Sequence, residues 1–363
     1  MSSRDFYERC TPQSKIKIKI VAAYFRAWAN IFTLRSSRVG FADLYSGPGR
    51  YRDGTPSTPL EVLRLALDHP RLPGTLVSLF NDMNPEYSKE LSREFQAFPG
   101  IEHLTYKPTV MNKEVGEDFV KFFGEKNIIP TLLFLDPWGY KGLTRELVGS
   151  VVKGRGCDCI FFFNFRRIKS ALYNKGTRTH IEGLYGVIRT QKMREELKSA
   201  PRQNHEEILL TNLDEAFAEI GFNYTLPFRI YNQKGALSQH LIFVCKHQLG
   251  YDIMKDVMAK RATSFNSGIA SFEYDPRDED SLRLFTISES PDTLFQDLPE
   301  CFAGQKLTVK AIYEMHNTRT PFLLRDYQDV LKQLEAMNII EIDPPAGSRK
   351  LHTLKPDAQV TFH

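Results

Sequence analysis

Chemistry in this chain can gather at two short stretches. The first is Phe41-Ala42-Asp43-Leu44-Tyr45-Ser46-Gly47-Pro48-Gly49-Arg50. Val39 to Leu44 reads as a short buried parallel strand, with the Asp43 carboxylate near its carboxyl end. Loops at that edge of an open α/β sheet are where such folds bind nucleotide-like ligands. Gly47 and Gly49 would let the backbone take unusual dihedrals and approach a ligand closely, and Pro48 would stiffen the turn. A tight strand-to-helix turn with no ligand is the competing reading. The second stretch is Asp136-Pro137-Trp138-Gly139-Tyr140, entered directly from the apolar run Thr131-Leu132-Leu133-Phe134-Leu135. An acid and an aromatic ring leaving a strand at the same sheet edge could hold a polar acceptor. An Asp-Pro turn with Trp138 in the core accounts for the same residues structurally. Asn164, at the end of a further strand, and Asp82, after Leu76–Phe80, face that edge too. Asp82 could equally be the N-cap before Pro85-Glu86-Tyr87.

A third feature is charge. From Phe165 to Arg202 there are ten Lys/Arg against three Glu, a surplus of seven in a chain whose whole surplus is +4. Arg166, Arg167, Lys169, Lys175 and Arg178 open this insertion, and Tyr173, His180 and Tyr185 are interleaved. Basic side chains with aromatics among them suit phosphate contacts and base stacking. A solvated basic face that binds nothing is the alternative.

These residues need a scaffold. At 363 residues, 42% hydrophobic and 25% charged, the composition is that of a soluble globular protein with one large domain and an appendage. No run of ~20 apolar residues suggests a membrane span, and no signal peptide precedes Arg4-Asp5-Phe6, so the expected location is cytoplasmic. Five scattered cysteines read as free thiols, and no metal site is expected. Thr11-Pro12 opens a helix reaching Phe32, with Ile16, Ile20, Ala23 and Ala27 at helical spacing and Lys15 and Lys19 on another face. Strands are expected at 39–44, 76–80, 102–106, 131–135 and 159–164, alternating with helices, which argues for a doubly wound parallel α/β sheet. Tyr224–Tyr231 and Gln239–Lys246 then form a hairpin. After a linker at Ser281–Pro291, helices near 292–302, 308–317 and 323–338 and a hairpin of 339–342 with 350–354 make a winged helix–turn–helix. The domains are thus 1–288, with the basic insertion at about 165–202, and 289–363. The presumed recognition helix carries Arg325 and Lys332 against Asp326, Asp329 and Glu335, a weak DNA-reading face, although Arg349 and Lys350 of the wing could touch phosphates.

Asp-x-aromatic-x-Gly-x-Gly resembles the first motif of class I S-adenosylmethionine-dependent methyltransferases. The resemblance implies a Rossmann-like methyltransferase sheet closed by an antiparallel hairpin. It also implies that Asp43, Tyr45, Gly47, Gly49 and Asp82 surround the cofactor, with Asp82 on the ribose hydroxyls. Asp136-Pro137-Trp138-Gly139 falls where amino-methyltransferases acting on bases carry Asp/Asn-Pro-Pro-aromatic, and is closer to what tRNA guanine-N2 methyltransferases carry. By that likeness Asp136 and a backbone carbonyl accept hydrogen bonds from an exocyclic amine while Trp138 stacks on the base. Such an enzyme chiefly has to align an amine lone pair with the methyl group.

Over nearly its whole length the chain resembles the bacterial three-Cys-motif partner proteins, on the Lys15–Trp28 helix, Phe41–Gly49, Leu133–Leu143, Gly250–Met258 and the winged-helix tail. That resemblance implies pairing with a separate three-cysteine protein of radical-S-adenosylmethionine type. Two functions follow as expectations. One is methylation of an exocyclic amine on a DNA or RNA base. The other is a non-catalytic adaptor that presents nucleic acid to the partner enzyme.

Overall fold

The computed structural model describes residues 7–125, 128–137, 139–263, 265–266, 269–270, 272–278, 292–350 and 353–363. Two compact units divide the chain, Met1–Val257 and Met258–His363. In the first, helix α1 (Pro12–Phe32) begins as its residues dictate: Thr11 accepts a hydrogen bond from the Ser14 N–H and Pro12 stands at the first helical position. Strands β1 (Val39–Asp43), β2 (Leu76–Asn81), β3 (Thr109–Met111), β4 (Thr131–Leu135), β5 (Asp158–Phe163), β6 (Tyr224–Tyr231) and β7 (Leu237–Cys245) follow. Helices α2 (Thr58–Asp68), α3 (Pro85–Gln96), α4 (Glu117–Gly124) and α5 (Arg145–Val152) lie between the first five strands.

Across the main sheet these strands run in the order β6-β7-β5-β4-β1-β2-β3. All neighbours are parallel except β7, which runs against both β5 and β6. The expected mostly parallel sheet with a terminal antiparallel hairpin is therefore what forms. Every residue of β1, β4 and β5 is buried, which is why those runs are apolar without alternation. The chain leaves β1 toward β2 and β3 on one side and returns through β4 and β5 on the other. The strand order thus reverses between β1 and β4, and Asp43 and Asp136 stand at the carboxyl edge of that switch point.

One expected strand does not form. Residues 102–106 enter a 3₁₀ turn, Ile101–His103, and β3 comes later, at Thr109–Met111. Lys107 explains it, because its ammonium donates to the carbonyls of Ile101, Glu102 and Leu104, each at 3.0 Å, and curls the backbone around itself.

The basic insertion folds as helices α6 (Phe165–Tyr173), α7 (Arg178–Tyr185) and α8 (Val187–Ser199), followed by α9 (His205–Ala218). Ile168, Leu172, Ile181, Leu184, Met193 and Leu197 bury its apolar face in the main core. Tyr185 is buried with them, its hydroxyl on the Leu209 carbonyl at 3.2 Å, so it is not available for stacking. After β7 comes α10 (Gln248–Ala259).

In the second unit, α11 (Asp292–Cys301), α12 (Val309–His316) and α13 (Leu324–Ala336) pack with a small sheet of β8 (Lys306–Thr308), β9 (Ile340–Asp343) and β10 (Gln359–Phe362). β10 pairs antiparallel with both other strands. The expected linker at 281–290 and Pro291 lies outside the described residues. The wing's second strand is corrected from 350–354 to Gln359–Phe362, whose alternate residues Val360 and Phe362 bury against Ile340 and Ile342. Arg349 is not free for phosphate, since it is buried in an ion pair with Glu335. Lys350 is exposed.

α1 is fastened to β5 by Tyr24, whose hydroxyl donates to buried Asp158 at 2.7 Å. Burial pushes the Asp158 carboxyl up to about 6, against the lowering effect of the Tyr24 bond. The folded state thus holds this proton more tightly than the unfolded chain, so stability falls as pH rises from about 4 to about 6. Urea unfolding of wild type should show a loss of roughly 3 kcal/mol from this group across that interval. Asp158→Asn should flatten the slope while keeping an acceptor for Tyr24.

Candidate functional site

The loop after β1 is cross-tied to the end of β2. Asp43 is buried, and its Oδ1 accepts the Tyr45 N–H at 3.0 Å. The Ser46 hydroxyl donates to the Asp43 carbonyl at 2.9 Å and accepts the Asn81 N–H at 3.1 Å. The Asn81 amide donates to the Leu44 and Lys113 carbonyls at 3.1 and 3.0 Å. Asp82 completes the tie, accepting the Gly47 N–H at 3.0 Å on one oxygen and the Asn84 N–H at 2.8 Å on the other. The N-cap of α3 is Asn84, which accepts from the Glu86 N–H, so Asp82 holds the glycine loop and does not cap the helix. Gly47 takes φ +64°, and a Cβ there would stand 2.1 Å from the Tyr7 hydroxyl. At Gly49 the neighbour is Leu91 of α3, so that glycine serves helix packing.

Asp136 leaves β4 beside this loop and meets Lys17 of α1. The ammonium lies 3.0 Å from both carboxylate oxygens and 3.9 Å from the centre of the Phe162 ring. The Lys17 side chain is only 8% exposed and that of Asp136 21%, so the pair is largely desolvated. Sequence reading passed over Lys17 in favour of Lys15 and Lys19. Its signal was available: Lys17 is the one charge on the ridge Lys17–Val21–Tyr24–Trp28, every other member of which is apolar and buried. Pro137 accepts the Gly139 N–H at 2.7 Å, and Trp138 lies outside the described residues. Tyr45 bridges the two motifs, its hydroxyl donating to the Lys141 carbonyl at 2.8 Å. A Cβ at Gly142 would come within 2.4 Å of that hydroxyl. Asn164 caps α6, its Oδ1 accepting the Arg167 N–H at 3.1 Å.

Three carboxylates therefore share one edge, and among the described residues Lys17 is the ammonium paired with one of them. The Asp43 carboxyl is pushed well above the usual range by burial and by the charges of Asp136 and Asp82, against the Tyr45 N–H bond that lowers it. Burial raises Asp82 as well, opposed by its two backbone donors. The Tyr7 phenol is raised by burial and then by Asp82, Tyr51, Asp136 and Asp43, which places it in the field of all three acids.

Beside the Asp136 loop lies a cleft of about 380 Å³, lined by residues that include Gly139, Tyr140, Lys141, Arg167, Asn174 and His180. Ion pairs within the insertion thin the expected basic surface. Arg178 pairs with Glu182, Lys198 with Glu195, and Arg189 with Glu215 and Glu219. Arg166, Lys169 and Lys175 have no ion-pair partner among the described residues. In the second unit Lys332 pairs with Asp329 at 2.7 Å and Arg325 lies 3.8 Å from Asp326, consistent with a weak nucleic-acid face on α13.

Residues 273–347 match the family model described as the GMT-like wHTH domain. That match agrees with the three helices and small antiparallel sheet. No curated protein matches the chain. Among solved structures, it is similar to an S-adenosyl-L-methionine-dependent methyltransferase, itself named as putative, from Methanococcus maripaludis. There the identity is 12% and the TM-score 0.36, with 67% of this chain and 91% of that one covered. It is also similar to magnesium protoporphyrin IX methyltransferase from Synechocystis with bound SAH, at 14% identity and TM-score 0.35, covering 68% and 88%. Against the CurJ carbon methyltransferase the identity is 12% and the TM-score 0.33; 59% of this chain aligns, spanning half of that protein's length. Identities this low are compatible with unrelated chemistry. Among the described residues no cluster of His, Cys, Asp and Glu could hold a metal ion, and no helix is long and apolar enough to cross a membrane.

Removing one member of a largely buried ion pair strands the other charge. Lys17→Met should therefore cost about 3–5 kcal/mol in chemical denaturation. The double variant Lys17→Met/Asp136→Leu should recover most of that loss.

Proposed function

We propose that the first unit is an S-adenosylmethionine-dependent methyltransferase whose acceptor is an exocyclic amine of a nucleic-acid base. The observation that carries this reading is the convergence of Asp43, Asp82 and Asp136 at the glycine loop, with Lys17 the ammonium that pairs with one of them among the described residues. A partly desolvated site with surplus negative charge favours a cationic ligand. The residues fit the group: Gly47 has no side chain to keep a ligand off the loop, and Asp82 stands beside it at the end of β2 as an acceptor for hydroxyls. When bound, S-adenosylmethionine would supply a methyl group on a positively charged sulfur.

The chain's own residues handle the acceptor. The Lys17 ammonium holds both Asp136 oxygens, and the lone pairs it does not use can accept the N–H of an amine. An amine that gained the methyl group, the sulfur–methyl bond breaking to leave a neutral thioether, would have to shed a proton, and Asp136 would stand where it could pass that proton to water. The adjoining cleft is large enough for a base, with Tyr140 and His180 rings 5.9 Å apart in its wall. Arg166, Lys169 and Lys175 offer the neighbouring backbone phosphates a counter-charge. The matched winged-helix segment gives further support to a nucleic-acid partner.

One observation favours the adaptor reading. Tyr7, not open space, lies against Gly47. In that version the pocket is structural, and the protein presents nucleic acid to a three-cysteine partner of radical-S-adenosylmethionine type.

Calorimetry in buffers of different ionisation heat tests the cofactor. Because Asp43 and Asp82 are raised, a bound cation should drive proton release, with affinity rising with pH through the acid range. The demethylated product lacks the sulfonium charge and should bind at least about tenfold more weakly, roughly 1.4 kcal/mol. Equal affinities with no proton release would remove the electrostatic basis.

Single-turnover transfer from labelled cofactor to DNA and RNA tests the reaction. Lys17→Met/Asp136→Leu should stay folded but lose transfer; an unchanged rate would remove Asp136 from the reaction, and no transfer by wild type itself would favour the adaptor. Charge reversal of Arg166, Lys169 and Lys175 should flatten the salt dependence of nucleic-acid binding, with a slope change of up to about three.

A further inference from the structure

The residues ahead of α1 are bound to the glycine loop's own turn. Tyr7 accepts the Arg52 N–H on its carbonyl at 2.8 Å, and the Cys10 N–H donates to Asp53 Oδ2, also at 2.8 Å. Glu8 forms an ion pair with Arg52. This fastening directs the Tyr7 ring inward. Its edge meets Tyr87 with centroids 5.2 Å apart and planes at 76°, and it tilts against Tyr51 at 5.6 Å. At Gly47 even the first atom of a side chain would stand 2.1 Å from the hydroxyl and 2.4 Å from Cζ, so the phenol rests on bare backbone. A ligand approaching Gly47 as closely would need the same space.

We propose that Tyr7–Cys10 is a strap over the cofactor loop, and that the Tyr7 ring occupies the place of the cofactor's methionyl end until the strap lifts. The proposal rests on the cofactor reading of this site. The driving force for lifting is charge. A phenol in the field of Asp43, Asp82 and Asp136 stays protonated and can donate one hydrogen bond, whereas a cation offsets the carboxylates directly. The backbone tethers include the Tyr7 carbonyl's bond to Arg52 and the Cys10 N–H's bond to Asp53, and the Glu8–Arg52 ion pair beside them is exposed and adds little. Such a strap lowers the apparent affinity in proportion to the open fraction. It makes cofactor capture depend on whatever holds or releases the amino-terminal segment.

The test compares the full-length wild type, Tyr7→Phe and Tyr7→Ala by calorimetry and stopped-flow binding of S-adenosylmethionine, with hydrogen exchange at the Arg52 amide. Tyr7→Ala should bind about tenfold tighter, through faster association, the response expected if the strap is open about a tenth of the time. Its Arg52 amide should lose protection even without ligand. Tyr7→Phe retains the ring and should behave as wild type. Weaker or unchanged binding in Tyr7→Ala would overturn the strap and make Tyr7 a supporting wall of the site. Unchanged Arg52 protection would overturn it as well. If neither wild type nor Tyr7→Ala binds while the Arg52 amide is still deprotected, the cofactor reading fails and the gate fails with it, although the seating of Tyr7 stands.

Discussion

An ammonium desolvated between α1 and the end of β4 is the constraint around which this site is arranged. Lys17 gives up bulk water for Asp136 and the face of Phe162. The pair joins α1 to the strand edge at which acceptor chemistry is proposed, across 119 residues of sequence. It also fixes how Asp136 is presented, because the ammonium bonds both carboxylate oxygens and so sets their orientation.

The remaining ties give this edge a definite geometry. Asp82 binds the Gly47 amide, Ser46 and Asn81 exchange hydrogen bonds, and Tyr45 reaches the Lys141 carbonyl, so the loops after β1, β2 and β4 form one connected network. Connected polar networks hold their members in place, because freeing any one of them leaves a buried group unsatisfied. Beside it lie the Tyr7–Cys10 segment and α6, whose Arg166 and Lys169 have no ion-pair partner among the described residues. A rigid edge suits group transfer, in which alignment contributes much of the rate.

How legible this was depended on how local each signal is. The strands at Val39 and Thr131 were readable because continuous apolar runs have few other uses. The cap at Thr11-Pro12 was readable because capping is settled within four residues. The strand expected at 102–106 was missed because one lysine, Lys107, collects three carbonyls, which no propensity encodes. The wing strand was misplaced because pairing partners in a short antiparallel sheet are set across the sheet, where Val360 and Phe362 stand opposite Ile342 and Ile340.

The sequence by itself determined the alternation of strands and helices, the strand-ending acids, the glycine loop and the concentration of basic residues. Each of these is a property of neighbouring residues. Only the tertiary structure decided that Lys17 pairs with Asp136, that Asn164 caps α6, that Glu335 claims Arg349, and that Tyr7 lies on Gly47. It also decided which cations stay unpaired, since Arg189 meets its acids on α9 and not within the insertion. The reason is physical. Charge pairing and the filling of space depend on which residues the strand order brings together, and that order is set by burying the whole sheet at once.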